Sequence, residues 1–277
     1  MATGKATRRA VLVVGGVALL TRIWKDPSQP AEVSAQAHPV SAHPTPARSA
    51  PSVSPHPTGP PHSAPARARL ARSRPHQTRH GHPDQPVFHI HDGHKRIALT
   101  IDDGPSPEYT PQVLKLLEKY RVTATFSMIG LEAAAYPGLV REVAAAGHKI
   151  ANHTWSHPDL VYLPTAAVAD QIRRATGAIH KATGRVPDLF RAPYGAWSPA
   201  VLRECAQAGM TPLDWSVDPR DWSRPGVAAI VGNIMRNTRT GSIILEHDGG
   251  GDRSQTVAAL KIVLPRLLDA GYRFATP

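Results

Sequence analysis

Half of the prolines in this chain lie in its first third, and this distribution limits where a folded core can form. Fourteen of the 28 prolines fall between Pro27 and Pro86, a stretch with almost no aliphatic run after Leu20. Such a composition cannot bury enough apolar surface to offset the entropy lost on folding. We therefore predict a disordered, partly polyproline-II linker over 27–86, rich in Pro, Ala, Ser, His and Arg, followed by a folded domain over 87–277.

The net charge follows the same division. Residues 1–86 hold 11 Lys plus Arg against 3 Asp plus Glu, which gives +8, and the rest of the chain supplies +3 of the total of +11. A nucleic-acid-binding protein usually carries its positive charge on a folded face with a recognition motif, and none is visible in this sequence. We predict no nucleic-acid partner, and we expect the cationic linker to contact an anionic cell envelope.

The N-terminus is typical of an export signal. Arg8 and Arg9 precede an apolar run that ends at Leu20, about the length of a signal sequence and too short for an ordinary bilayer span. We predict that residues 1–26 form an export signal of the general secretory type or of the twin-arginine type, which the arginine pair resembles. Cleavage and retention as a membrane anchor both stay open, and the membrane is a partner only in the second case. We expect a bacterial protein that is secreted or attached to the cell wall.

Strands and helices alternate from Arg96 to the end of the chain. Seven strands are predicted, over 97–101, 123–128, 149–152, 188–191, 211–217, 242–246 and 272–275. The helices between them have recognisable ends, with Thr110 and Ser198 as predicted N-caps and with Gly147 and Gly209 after the last turns. This alternation predicts an α/β fold with a parallel sheet, either a barrel or an open doubly wound sheet. We favour the barrel because polar motifs follow the C-terminal ends of several different strands.

Two pairs of polar residues predict a metal site. Asp102 and Asp103 end the first predicted strand and precede a Gly-Pro turn. His153 and His157 lie four residues apart, so a helical turn or a loop can direct both imidazoles to one metal ion. Asp103 would complete a site of two histidines and one carboxylate, which leaves Asp102 free as a general base. The alternative is an ordinary Asp-Gly turn and two surface histidines.

Later motifs supply candidate partners for these residues. Arg191 would hold the Asp102 carboxylate in place, unless it is a surface arginine before a Pro-Tyr-Gly turn. His247 would protonate a leaving group, with Asp221 to orient its imidazole, and the alternative is a buried histidine with a structural role. Tryptophans near these motifs, such as Trp222, are either core residues or platforms for sugar rings. The chain has no Gly-x-Ser-x-Gly, Walker A or His-Glu-x-x-His motif.

Five motifs in this order resemble those of the polysaccharide deacetylases, carbohydrate esterase family 4. The motifs are Thr-Ile-Asp-Asp-Gly-Pro from Thr100, His153-x-x-x-His157, Arg191-Ala-Pro-Tyr-Gly195, Val217-Asp-Pro-Arg-Asp-Trp222 and Leu245-Glu-His247. The resemblance covers residues 95–277. It implies a distorted (β/α)7 barrel, similar to a TIM barrel, that removes acetyl groups from an acetylated sugar polymer with the help of a metal ion.

The resemblance also implies a role for each matched residue. It assigns metal binding to Asp103, His153 and His157, the base to Asp102 with its partner Arg191, and the acid to His247 with its partner Asp221. It assigns the walls of the acetyl pocket to Trp222 and Leu245, and an oxyanion donor to the backbone N–H of Tyr194. Ile101 stands where the family usually has Phe. We expect this side chain to point away from the acids, which would change the packing without loss of activity.

The sequence therefore predicts metal-dependent deacetylation of a cell-wall polymer. N-acetylglucosamine or N-acetylmuramic acid units of peptidoglycan are favoured because the export signal and the cationic linker would place the domain at the wall. Chitin oligomers and acetylated xylan stay open as substrates. A non-catalytic wall-binding module and a metal scavenger that uses the histidine-rich tail are alternatives of another class. The predicted cofactor is one divalent ion, with zinc as first choice and cobalt, manganese or nickel as alternatives, and the expected state is a monomer.

Overall fold

The computed structural model describes residues 85–277 of this chain. The strands are β1 (Arg96–Asp102), β2 (Thr125–Met128), β3 (Lys149–Asn152), β4 (Leu189–Phe190), β5 (Thr211–Pro212), β6 (Ile243–His247) and β7 (Arg273–Phe274). The helices are α1 (Thr110–Tyr120), α2 (Gly130–Ala135), α3 (Pro137–Ala145), α4 (Thr165–Thr183), α5 (Pro199–Gln207), α6 (Val227–Asn237) and α7 (Ser254–Asp269). The export signal predicted over 1–26 and nearly all of the linker predicted over 27–86 lie outside the described residues. Between residues 85 and 277, the helices are too short or too polar to cross a bilayer.

The strands form a parallel sheet that curls into a barrel. Their order is β5-β4-β3-β2-β1-β6, and β7 pairs with the beginning of β1. Parallel neighbours need long connections, and the helices supply most of them, which explains the alternation in the sequence. A parallel bridge between Val217 and Ile244 links the segment after β5 to β6, so the two edges of the sheet meet. The predicted distorted (β/α)7 barrel is confirmed.

The alternation of side chains along β1 separates two cores. Ile97 and Ile101 belong to the large apolar cluster between the sheet and the helices. Ala98 belongs to the smaller cluster, with Ile90, Ala151, Leu189, Leu213 and Ile243. Because successive side chains of a strand point to opposite faces, Thr100 and Asp102 lie on the same face as Ala98. The strand therefore ends with a carboxylate on its inner face, and Ile101 points away from it, as the sequence predicts.

Three of the four predicted helix ends agree with the structure. The Ser198 hydroxyl accepts a hydrogen bond from the backbone N–H three residues on (3.3 Å), and Gly147 and Gly209 follow α3 and α5 with φ of +83° and +71°. The prediction of Thr110 as an N-cap is wrong, because this residue is already the first of α1. Its hydroxyl donates instead to the buried Asp248 carboxylate (2.6 Å), a tertiary contact that local sequence does not show.

The fifth strand is shorter than predicted. The sequence predicts a strand that continues to Val217, but β5 ends at Pro212, whose nitrogen has no hydrogen to donate to the sheet. The chain then bends, and the amides of Ser216 and Val217 both donate to the carbonyl of Ile243 (3.0 and 3.1 Å). This bend brings Trp215 to the wall of a cavity at the C-terminal ends of the strands.

Candidate active site

The cavity at the C-terminal ends of the strands has a volume of about 350 Å³. Eight of the ten predicted site residues line it, namely Asp102, Asp103, His153, His157, Tyr194, Trp222, Leu245 and His247. The other two, Arg191 and Asp221, lie behind this layer, and each contacts one of the lining residues. Folding thus brings all ten residues to one place, although they come from separate strand ends and loops.

Asp103, His153 and His157 meet in one corner of the cavity. Asp103 Oδ1 lies 3.5 Å from His153 Nε2 and 3.3 Å from His157 Nε2, and one ligand atom from each residue lies within 4.8 Å of the others. Asp103 Oδ1 is buried and accepts no hydrogen bond from the described residues. A buried carboxylate oxygen without a donor, facing two imidazole nitrogens, fits a divalent cation, and this donor set is typical of transition-metal sites.

The orientation of His153 suits a ligand to such a cation. Its Nδ1 lies 2.8 Å from the backbone carbonyl of Arg191, which can only accept, so Nδ1 carries the hydrogen and Nε2 is free to bind. Burial opposes charge on His153, but the negative charges of Asp102 and Asp103 outweigh it and raise the pKa of this histidine. Burial likewise opposes charge on Asp103, yet His153 and the other histidines lower its pKa.

The two histidines lie in a loop and not on a helix. Thr154 and His157 have left-handed backbone conformations, with φ of +66° and +57°. Such conformations cost about 1–3 kcal/mol each for residues other than glycine. Local hydrogen bonds hold them, because Thr154 N–H donates to Asn152 Oδ1 (2.8 Å) and His157 N–H donates to Thr154 Oγ1 (3.0 Å). These hydrogen bonds therefore hold the backbone of the loop that carries both histidines before any ligand binds.

Arg191 lies inside the barrel and holds Asp102. Its guanidinium is fully buried, and Nη1 donates to Asp102 Oδ1 and to Thr100 Oγ1, both at 2.8 Å. Nη2 donates to the carbonyl of Asp214 (2.9 Å), and the Trp215 ring lies 5.6 Å from the guanidinium carbon. These contacts fix the Asp102 carboxylate in one orientation and compensate its charge.

His247 and Asp221 form the second charged pair. His247 is the register partner of Asp102 on the neighbouring strand. Its Nδ1 lies 2.7 Å from Asp221 Oδ1, and its backbone N–H donates to Asp221 Oδ2 (2.9 Å). Burial alone would lower the pKa of His247, but the hydrogen bond and the charge of Asp221 raise it. His247 therefore keeps a proton to higher pH than an ordinary histidine, as a general acid needs.

Two exposed aromatic rings frame the mouth of the cavity. Tyr194 is 67% exposed and Trp222 is 46% exposed, whereas Leu245 is almost fully buried below them. Tyr194 has a left-handed backbone (φ +62°), and its ring packs edge-on against His157 with centroids 4.7 Å apart. An apolar wall with two aromatic faces suits an acetyl group on a sugar ring.

The glycine-rich loop after β6 supports Asp103, a role that the motifs do not predict. A Cβ atom on Gly249 would lie 2.0 Å from the Asp103 carbonyl oxygen, and one on Gly250 would lie 2.8 Å from Asp103 Oδ2. Arg253 holds this loop by donating to the carbonyls of Gly249, Gly250 and Trp222, at 2.6, 3.1 and 3.3 Å. Three consecutive glycines are the sequence signal that could have revealed this close approach.

We expect Gly249→Ala to displace Asp103 and to weaken metal binding by about 10–100-fold, the range found when the supports of metal ligands are removed. The reason is that a Cβ atom at this position would lie 2.0 Å from the Asp103 carbonyl oxygen, which is closer than the two atoms can approach. Metal titration of the parent and the variant measures the effect. Gly177→Ala is the matched control, since a Cβ there meets nothing within 4 Å on helix α4. Equal affinity in Gly249→Ala and the parent would contradict the support role.

Comparison with known proteins identifies the family. A family model described as polysaccharide deacetylase matches residues 89–213. A chitooligosaccharide deacetylase of Sinorhizobium fredii is 46% identical over 191 residues, which cover 65% of this chain and 89% of the relative. The chain belongs to the polysaccharide deacetylase family.

Other members of the polysaccharide deacetylase family are also similar to this chain. A peptidoglycan-N-acetylglucosamine deacetylase of Bacillus cereus is 44% identical over 192 residues, which cover 69% of this chain and 90% of the relative. The crystal structure of the Bc1960 peptidoglycan N-acetylglucosamine deacetylase is 34% identical, with a TM-score of 0.66 over 68% of this chain and 89% of that chain. The family resemblance that the five motifs indicate is thus confirmed, while the roles of single residues stay predictions.

Proposed function

We propose that this protein removes N-acetyl groups from peptidoglycan, at N-acetylglucosamine or N-acetylmuramic acid units. One observation carries the proposal: a triad of one carboxylate and two imidazoles that could hold a cation, a fixed carboxylate and a paired imidazole converge in one cavity. Family membership supports deacetylation, and the names of the relatives support acetylated polymers of the chitin or peptidoglycan type. The predicted export signal and cationic linker favour the cell wall, so the proposed location is outside the membrane, as a secreted or wall-bound monomer.

Asp103, His153 and His157 are the residues that would hold one divalent ion, with zinc as first choice and cobalt, manganese or nickel as alternatives. Such an ion, when bound, lowers the pKa of a water molecule to about 7 and polarises a carbonyl group. The loop that carries the two histidines and the glycines that support Asp103 preorganise the three side chains. Little reorganisation is then needed when the ion binds.

Asp102 is the proposed general base. Its carboxylate, held by Arg191 at 2.8 Å, accepts a proton from the water that attacks the acetyl carbonyl carbon. Negative charge then develops on the carbonyl oxygen, and the backbone N–H of Tyr194 donates a hydrogen bond to it. A donor of this kind is typically worth ~10²–10³ in rate. Trp222 and Leu245 enclose the acetyl methyl group.

His247 is the proposed general acid. As the carbon–nitrogen bond breaks, the electron pair goes to the sugar nitrogen, and His247 donates a proton to it. The products are acetate and a free amino group on the sugar. Asp221 stabilises the imidazolium before transfer through its contact of 2.7 Å with Nδ1. The base and the acid therefore come from adjacent strands, β1 and β6, at paired positions.

An acetate-release assay tests the proposal. Peptidoglycan, chitin oligomers and acetylated xylan are compared, each with and without a chelator. We expect release from peptidoglycan to be fastest and to stop when the chelator is present. Faster release from chitin oligomers or from xylan would assign the substrate to those polymers instead. Binding to cell walls without any release would indicate a non-catalytic module, and metal binding that disappears with the tail would indicate a scavenger.

A further inference from the structure

Glu246 is a buried acid that the proposed mechanism does not use. It lies on β6 next to His247, and its side chain is fully shielded from solvent. Because side chains alternate along a strand, Glu246 and His247 lie on opposite faces of the sheet. Glu246 shares its face with Ile244, which belongs to the apolar layer beneath the helices. Among residues 85–277, no donor reaches either of its carboxyl oxygens. A charged carboxylate in such a place is very unfavourable.

The charged groups that face Glu246 are acids. The Glu246 side chain lies close enough to Asp221 for a hydrogen bond to form between the two carboxyl groups once one of them is protonated, and Asp218 adds a second negative charge. Two carboxylates in contact repel each other, whereas a protonated carboxyl group donates a hydrogen bond to a carboxylate. Burial and these negative charges hold the pKa of Glu246 well above its usual range. The residue that carries the proton is Glu246, because Asp221 has other donors.

Those donors leave one acceptor position on Asp221. A carboxylate offers about four lone-pair positions. Oδ1 accepts from His247 Nδ1 (2.7 Å), and Oδ2 accepts from the His247 backbone N–H (2.9 Å) and from the Thr256 hydroxyl (2.7 Å). Three positions are thus filled, and the Glu246 proton can fill the fourth.

We propose that Glu246 is a positioning residue, a neutral acid that donates a hydrogen bond to Asp221 and thereby limits how strongly His247 holds its proton. A donor withdraws negative charge from the Asp221 oxygens, so the carboxylate attracts the imidazolium less strongly. Removal of the donor makes Asp221 more basic, and His247 then stays protonated to higher pH. The other titratable groups that face His247 are Asp102, Asp103, Asp248 and His157, and this removal leaves them unchanged. The inference deepens the proposed function and rests on it.

Two substitutions in the full chain test this role. E246Q keeps an N–H donor on a side chain of the same shape, whereas E246M has a similar volume and no donor. We expect the basic limb of kcat/KM against pH for acetate release to move up by about one pH unit in E246M and to stay in place in E246Q. T256V removes another donor to Asp221 and is expected to move the limb in the same direction. Thermal melting of each variant measures folding separately.

Two outcomes overturn the proposal in this assay. A basic limb that stays in place in folded E246M shows that Glu246 does not act through Asp221 and His247. A limb that moves equally in E246Q and E246M shows that the donor hydrogen is irrelevant. A merely structural role would lower activity at all pH values without moving the limb.

Infrared spectroscopy supplies a readout that does not need activity. A protonated carboxylic acid has a carbonyl stretch distinct from that of a carboxylate. Burial also raises the pKa values of Asp248 and Asp214, so these acids can contribute similar bands, and the band of Glu246 is the one that both substitutions at position 246 remove. We expect a band in the parent protein that both E246Q and E246M lose, and its absence from the parent overturns the proposal. A parent with the band but without acetate release would overturn the proposed function alone.

Discussion

Asp102→Asn is expected to lower kcat for acetate release by about 10²–10⁴-fold, the usual contribution of a positioned general base. Asparagine has the same shape and keeps an oxygen that can accept from Arg191, which now donates to Asp102 at 2.8 Å. It cannot take a proton from water. Steady-state kinetics of acetate release, with metal content and thermal melting of the same samples, separate loss of the base from loss of the ion or of the fold.

The choice of asparagine decides how this result is interpreted. Alanine at 102 would leave the fully buried Arg191 guanidinium without its partner, which typically costs about 3–5 kcal/mol of stability. Inactivity of an alanine variant could then come from unfolding. Asp188→Asn is the matched control, because Asp188 is an exposed acid paired with Lys149 in another part of the domain. Full activity of folded Asp102→Asn would refute the assignment of the base.

Much of the barrel could be predicted because its signals are local. β1 is recognisable from its apolar run and from the acids and turn that end it, and α5 from the Ser-Pro pair at its start. Tertiary contacts decide where prediction fails. Thr110 has the sequence of a cap, but its hydroxyl binds Asp248, and β5 stops early at Pro212.

The candidate site likewise has residues that the sequence predicts and residues that only the folded structure shows. The motifs gave the residues at the strand ends, and a barrel necessarily brings strand ends together. Two residues that support the site without lining the cavity were missed, because their role depends on distance alone. Gly249 lies against Asp103 only in three dimensions. Glu246 lies next to His247 in sequence, but its burial and its proximity to Asp221 arise only when the chain folds.

His153→Gln is expected to remove one bound divalent ion per chain and to lower acetate release by ~10³-fold or more, since a catalytic ion supplies several kcal/mol of transition-state stabilisation. Glutamine keeps a donor towards the Arg191 carbonyl, which His153 Nδ1 now contacts at 2.8 Å, but it is a poor ligand. Metal content by elemental analysis and acetate release by the same samples measure the two effects together. A chelator should reduce the parent protein to the activity of the variant.

The histidine-rich tail makes the comparison between variants essential, because any metal that the tail histidines bind would add to the metal content of every sample. The difference in stoichiometry between the parent and His153→Gln cancels that background. His180→Gln is the matched control, since His180 is an exposed histidine on α4 and is expected to leave both metal content and activity unchanged. If His153→Gln keeps the stoichiometry of the parent and its activity resists the chelator, then Asp103, His153 and His157 do not form the metal site. The reaction would then depend only on the pair of Asp102 with Arg191 and the pair of His247 with Asp221.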